Sequence, residues 1–318
     1  MTPREEFINA LTLGPPQGHV PTFELVFFLT MEAFGRVFPG HRRFTQWDQM
    51  SGRERDLQVT DCAEVFIQTA RHYGHNAIFV HAFEGSPDAL WLTATKIREL
   101  AGDEFFLMRH GDATFSIPDG QRMVEFAHRL ADDPDGVHGD ASERVDNALA
   151  RAEREMGGGI WDGFALCADY CLNVGPFLSP AQFSEFVAPY LARLIEGYRQ
   201  QGYYVIKHTD GNIMPILDQL VQCRPHALHS LDPQAGVDIA EVKRLHGHEL
   251  CLIGNVNCGL LQTGTDEEVV ADARYALKHG MPGGGYIFGT SNCVYTGMPL
   301  ERYELILKVW REEGRYSQ

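Results

Sequence analysis

Short apolar runs alternate with longer stretches in which apolar side chains recur every three or four positions, from residue 20 to the end of the chain. A short apolar run reads as a buried strand, and the longer spacing as one face of a helix. Strands are predicted at 20–28, 76–83, 104–109, 163–169, 203–210, 227–232, 250–255 and 286–289. Helices are predicted at 2–13, 31–37, 61–73, 87–100, 118–130, 141–156, 179–200, 214–222, 239–245, 266–279 and 299–313. End signals support them: Thr2 caps the first helix, Pro3 suits its first turn, and Glu5 and Glu6 favour its dipole. Ser179-Pro180 opens the longest predicted helix, whose apolar stripe is Phe183, Phe186, Val187, Tyr190, Leu191 and Leu194. Gly157-Gly158-Gly159 ends the helix before it.

Strands that alternate with helices pair in parallel through helical crossovers, and about eight such units close a barrel. The predicted fold is therefore α/β, a single-domain (β/α)8 TIM barrel over 1–318 with a short helix ahead of the first strand. No repeat, low-complexity tract or linker divides the chain.

Composition narrows the function classes. The 318 residues carry a formal net charge of -16, from 43 acidic and 27 basic side chains, which argues against nucleic acid and against an anionic membrane surface. No apolar run approaches the ~18 residues of a membrane span, and the N-terminus lacks a signal-peptide layout. The seven cysteines are an odd number, and several, such as Cys167 and Cys251, lie within apolar runs. They read as small core residues in a reducing, cytoplasmic setting.

In a barrel of this kind, chemistry belongs to polar residues at the C-terminal ends of strands. Those positions hold Glu24, His81, Arg109, His110, Asp169, His208, Asp210, Asp232, Asn255, Asn292 and Cys293. Any one of them could simply be a satisfied hydrogen bond or a helix cap; Asp232 before Pro233 and Asn255 are equally well explained that way. The run Tyr203-Tyr-Val-Ile-Lys-His208-Thr-Asp210-Gly-Asn212 is the most informative. Alternation along a strand puts His208 and Asp210 on one face. With Cys293 they form a mixed N/O/S set suited to a tetrahedral Zn2+ that keeps an open position.

Further blocks carry a family resemblance. Leu172-Asn-Val-Gly-Pro-Phe-Leu-Ser-Pro180, the aromatic helix through Pro189-Tyr190, His208-Thr-Asp210-Gly-Asn212, Leu252-Ile-Gly-Asn255, Thr263-Gly-Thr265 and Gly285-Tyr-Ile-Phe-Gly289 follow in order. Gly111-Asp-Ala-Thr-Phe-Ser upstream and Met298-Pro-Leu-Glu301 downstream extend the series. Together they resemble the uroporphyrinogen decarboxylase superfamily over most of the chain from residue 20, which implies the same barrel. Within it, the porphyrin decarboxylases use an arginine-rich N-terminal loop and an aspartate on the second strand. Here Glu24 stands on the first strand without an arginine beside it, His81 holds the aspartate position, and Asn292 replaces a late histidine.

The corrinoid-dependent methyltransferases are the better match. They hold zinc with a His-x-Cys pair and a distal cysteine, and this chain keeps His208 and Cys293 but has Asp210 for the middle thiolate. The resemblance then implies a zinc-dependent transfer of a methyl group from a small, aryl methyl ether to the Co(I) corrinoid (cobalamin) of a partner protein, an O-demethylase. A harder ligand set suits an ether oxygen better than a thiol sulfur. On this reading Glu24 is a fourth ligand or its hydrogen-bond partner, and His81 a proton-transfer residue. Asp169 and Asn292 complete the catalytic set, while Phe23, Phe28, Phe83, Tyr170 and Asn255 bind substrate. The chain lacks an Asp-x-His-x-x-Gly cobalamin motif, so the corrinoid arrives on a corrinoid-binding protein. The alternatives are methyl transfer from a methylcorrinoid to a thiol or pterin, a metal-free decarboxylase-like lyase, and a non-catalytic barrel.

Overall fold

The structure is a computed structural model that describes residues 1–156 and 158–316. Gly157 of the predicted glycine break lies outside the described residues. Its strands are β1 (Ala77–Phe79), β2 (Phe106–His110), β3 (Gly163–Leu166), β4 (Cys171–Leu172), β5 (Gly175–Pro176), β6 (Tyr204–His208), β7 (Ala227–His229), β8 (Cys251–Ile253) and β9 (Tyr286–Ile287). Seven of them form one sheet in the order β1-β2-β3-β6-β7-β8-β9, every pair parallel. β4 and β5 make a small antiparallel ribbon just beyond β3. Helices lie between successive sheet strands, as parallel pairing requires. The strands are buried nearly throughout because helices cover them, which is why they read as continuous apolar runs. One contiguous apolar core runs from Phe7 to Val309.

The predicted eight-strand closed barrel is corrected at its first strand. Residues 20–28 touch both edges of the curled sheet without forming a ladder: Phe23 N donates to Phe288 O at 3.0 Å, and Asn76 N to Thr22 O at 2.8 Å. Among the described residues, the backbone pairing of this segment with the far edge is limited to the isolated bridges Thr22↔Phe288 and Phe27↔Val294. Pro21 has no N–H to give. Side chains take other ladder positions, with Asn76 Oδ1 accepting from Thr22 N and the Glu24 carboxylate from Thr290 N. The result is a barrel-like α/β fold whose sheet stops at seven strands. Gly289 permits the approach, since a Cβ there would meet Phe23 O at 2.1 Å.

The predicted helix over 179–200 is two helices, Pro180–Phe186 and Ala188–Gln200. The break falls at Val187 (φ -122°, ψ -55°), because the ring of Pro189 cannot sit in the interior of a continuous helix. The longest described helix is instead Pro134–Met156, with 23 residues. Elsewhere the caps hold: Thr2 accepts from Glu5 N in a reciprocal capping box, and Thr265 does the same with Glu268.

Candidate metal centre

β6 is five residues of alternating direction, so its last two side chains leave on opposite sides. Lys207 is fully buried and His208 nearly so. Just beyond, the chain must turn sharply, and Gly211 (φ 82°) makes the turn possible, since a Cβ would meet Cys171 O at 2.5 Å. The turn brings Asp210 back beside His208.

His208, Asp210 and Asp169 form a group whose ligand atoms all lie within 4.8 Å of one another. His208 Nε2 is 3.7 Å from Asp210 Oδ1 and 4.0 Å from Asp169 Oδ1. Asp169 Oδ1 also accepts from Asp210 N at 3.0 Å, which fixes the two carboxylates side by side. Asp210 is held from the other sides by neutral donors, Ser230 Oγ at 2.8 Å and Asn292 Nδ2. Ser230 reaches it from a left-handed backbone (φ 87°), a conformation that a non-glycine residue adopts at a cost. Burial, with Asp169 and Asp232 nearby, pushes the Asp210 carboxyl up to about 7.

Behind His208 stands His229, its register partner on β7. The two Nδ1 atoms are 2.7 Å apart, so one ring donates to the other. Burial drives His208 well below its ordinary range and His229 down to about 4, leaving both rings neutral at pH 7. His229 Nε2 is buried without a hydrogen-bond partner.

The donor set fits a divalent cation. One neutral imidazole and two adjacent carboxylates converge, and among the described residues no cationic side chain balances the Asp210 carboxylate. The separations of 3.7 and 4.0 Å exceed by about 0.3 and 0.6 Å the ~3.4 Å between tetrahedral ligands ~2.1 Å from one ion. The set is harder than the predicted one. Cys293 is buried and its thiol is pushed up by burial, and it is not a member of the group.

Asp210 and Asn292 open into a cavity of about 280 Å³ lined also by Asp232, Gln234, Gln262 and Tyr295. Asp232 caps the turn at Pro233, accepting from Gln234 N at 2.9 Å, and its other oxygen accepts from Gly211 N. The remaining predicted residues lie elsewhere. Glu24 is buried, accepts from Thr290 N and Thr290 Oγ1, and is pushed by burial up to about 8; it is not in the metal group. His81 packs on Phe79 (4.6 Å between centroids) and Phe38, its Nε2 unpartnered and its pKa lowered by burial to about 4.

None of the five predicted substrate-binding residues lines the cavity. Phe23 is fully buried against Phe7, and Phe83 sits in a satellite cluster with Trp47. Tyr170 is bonded to Thr114, and Phe28 stacks on His41. Asn255 Nδ2 donates to Leu231 O at 2.8 Å. Tyr295 is the cavity's only aromatic residue among those described. His229 and Ser230 were missed by sequence reasoning. The available signal was that His208 and His229 each end the apolar run of a strand on adjacent units.

Residues 165–313 match the model of the uroporphyrinogen decarboxylase (URO-D) family, and this span contains Asp169, His208, Asp210, His229, Asn292 and Cys293. No curated protein matches the chain significantly. Among solved structures, a methyltransferase from Methanosarcina mazei superposes with a TM-score of 0.74 at 16% identity, covering 98% of this chain and 99% of that one. At that identity the likeness speaks for the fold. A GH5_18 protein from Bifidobacterium longum subsp. infantis aligns at a TM-score of 0.49 and 11% identity over 94% of this chain and 80% of its own, too low to carry weight. Among the described residues, no helix is long and apolar enough to cross a membrane.

Proposed function

We propose that this protein is a metal-dependent methyltransferase that removes the methyl group of a small methyl ether and passes it to the Co(I) corrinoid of a partner protein. The observation that carries the reading is Asp210: a half-buried carboxyl with no cationic partner among the described residues, beside Asp169 and His208, at the wall of a cavity sized for a small molecule. The family match over residues 165–313 and the fold shared with a protein named a methyltransferase support the reaction class.

Asp169, His208 and Asp210 would hold the ion, with Zn2+ the first candidate. When bound, the metal supplies Lewis acidity toward an ether oxygen and lowers the cost of the leaving alkoxide. The chain's own residues do the rest. In this reading His208 Nδ1–H donates a hydrogen bond to His229 Nδ1, which leaves the His208 Nε2 lone pair free as a ligand and fixes its ring. Ser230 and Asn292 orient Asp210. Asp232, Gln234, Gln262 and Asn292 offer hydrogen bonds to a polar substrate. This lining favours a compact, polar methyl ether over the aryl ether expected from the sequence. Cys293, outside the group, has no ligand role in this reading.

Metal analysis of the purified full-length chain tests the centre. About one zinc per chain is expected in the wild type and in Cys293→Ser, and none in His208→Ala or Asp210→Ala. Full retention in both of the latter overturns the centre, and loss in Cys293→Ser restores the His/Asp/Cys set. Formation of methylcobalamin from Co(I) cobalamin and a panel of methyl ethers tests the reaction. A metal-loaded enzyme that produces none, yet consumes methylcobalamin when offered a thiol or pterin, reverses the direction proposed here.

A further inference from the structure

A second cavity lies away from this centre. It holds about 380 Å³ and shares no lining residue with the cavity at Asp210. Its walls are the C-terminal end of β2 and one face of the helix Pro134–Met156. Arg144 and Arg151 are seven residues apart on that helix, two turns, and so project on one side with Asn147 between them. Both are exposed at the mouth, and among the described residues neither forms an ion pair. Arg144 is held over the ring of Phe115, 4.8 Å from its centroid, which fixes it in place without neutralising it.

Arg109 forms the floor. It is 8% exposed, its guanidinium lies 4.8 Å over the ring of Phe164, and its Nε is buried without an acceptor. Arg109 Nη1 donates to His110 O at 3.2 Å, and Glu155 Oε2 stands 2.8 Å from Nη2 but off the line of a hydrogen bond, which leaves Nε and Nη2 donors unused. The only carboxylate among the described lining residues, Asp112, is already matched by Lys207 at 2.9 Å. A chain of net charge -16 therefore has a concave surface lined by three arginines. Scattered surface arginines do not require an explanation. A buried arginine with an unmet donor, under two unpaired ones, does.

We propose that this cavity is a binding site for a small polyanion, held by its phosphate or carboxylate oxygens through Arg109, Arg144 and Arg151. Guanidinium forks match both oxyanions, and the concave shape with Tyr198 and Asn147 in its wall fits a small molecule rather than a polymer. The site is independent of the metal centre and of the reaction assigned to it.

Calorimetric titration of the full-length protein with inorganic phosphate, and separately with succinate, tests the proposal. One-to-one binding of at least one of them is expected, weakened about tenfold or more in Arg144→Ala/Arg151→Ala. Both arginines are exposed, so this variant keeps the wild-type melting temperature and metal content. Arg122→Ala, on the exposed face of a neighbouring helix, leaves binding unchanged. Preference for phosphate or for succinate identifies which oxyanion the site takes. Absence of heat with either ligand to millimolar concentration overturns the proposal. So does a double variant that binds like the wild type, or an Arg122 variant that loses as much.

Discussion

Lys207 and His208 are neighbours on one strand, both buried, and they live in opposite electrostatic worlds. Lys207 Nζ donates to Asp112 Oδ2, Leu166 O and Ala168 O, and lies 4.1 Å over the ring of Tyr170. Asp112 in turn accepts from Thr114 N, Thr114 Oγ1 and Ala168 N. Burial alone would raise its pKa, but Lys207 and Thr114 hold it down to about 2. Among the described residues His208 has one side-chain hydrogen-bond partner, His229, and it faces two carboxylates, one of them pushed up to about 7. The carboxylate facing Lys207 is 3% exposed, whereas those facing His208 are 43% (Asp169) and 30% (Asp210) exposed, and the two sides differ in charge matching as well. On the Lys207 side Lys207 and Asp112 match each other; on the His208 side, among the described residues, no cationic side chain faces the Asp210 carboxylate.

The largest effect that could break this contrast is on the closed side. Lys207→Met strands the Asp112 carboxylate, and urea denaturation should show a loss of about 3–5 kcal/mol. A loss below about 1 kcal/mol would show that the pair is dispensable. On the open side the same experiment should register little, because Asp210→Asn removes a charge that nothing balances. Its effect belongs in metal affinity, expected to fall well beyond the ~10–100-fold typical of residues behind a ligand. His229→Gln, Asn292→Ala and Ser230→Ala act at that second level, each expected to weaken metal binding about 10–100-fold in a competition titration with the fold intact. Equal affinity in all three would detach them from the centre.

The smallest effect is on pH dependence, and it sharpens the same point. Glu24 and Asp210 have raised folded-state pKa values, about 8 and about 7, against ordinary values of 4.5 and 3.8. The stability they contribute is full below the ordinary values and is lost as pH rises through the raised ones. His75, His81, His226 and His229 are lowered from 6.5 to about 3 or 4, so they add stability as pH climbs to 6.5 and nothing beyond. Between pH 6.5 and about 8 the carboxyls act alone, and the metal-free protein should lose stability across that window. Saturating zinc should flatten the part due to Asp210, and Glu24→Gln the rest. A melting temperature that rises across the window in metal-free protein contradicts the assignment.

The strand–helix alternation was legible because strands buried on both faces must be apolar throughout, and β2, β3, β6 and β7 lie within or one residue from their predicted runs. Residues 20–28 carry the same apolar pattern, yet Asn76 and Glu24 side chains take over the hydrogen bonds that would have made a strand. Such substitution depends on residues far apart in the chain and leaves no periodic trace. In the candidate site, His208 and Asp210 followed from strand alternation and a glycine turn. Asp169 followed from its place at a strand end. Cys293 was placed with them by its position at the end of a late apolar run and by the family resemblance, whereas the side chains that stand together in the fold are His208, Asp210 and Asp169.

The amino-acid sequence by itself determined the α/β order, the parallel sheet and the rim on which His208 and Asp210 stand, because these depend on local period and on the geometry of one strand. Only the tertiary structure decided which buried charges are matched. Lys207 meets a carboxylate 95 residues away, whereas Asp210 meets Ser230 and Asn292, which donate hydrogen bonds but bring no positive charge. Charge balance is a property of neighbours in space, and the fold chooses those neighbours.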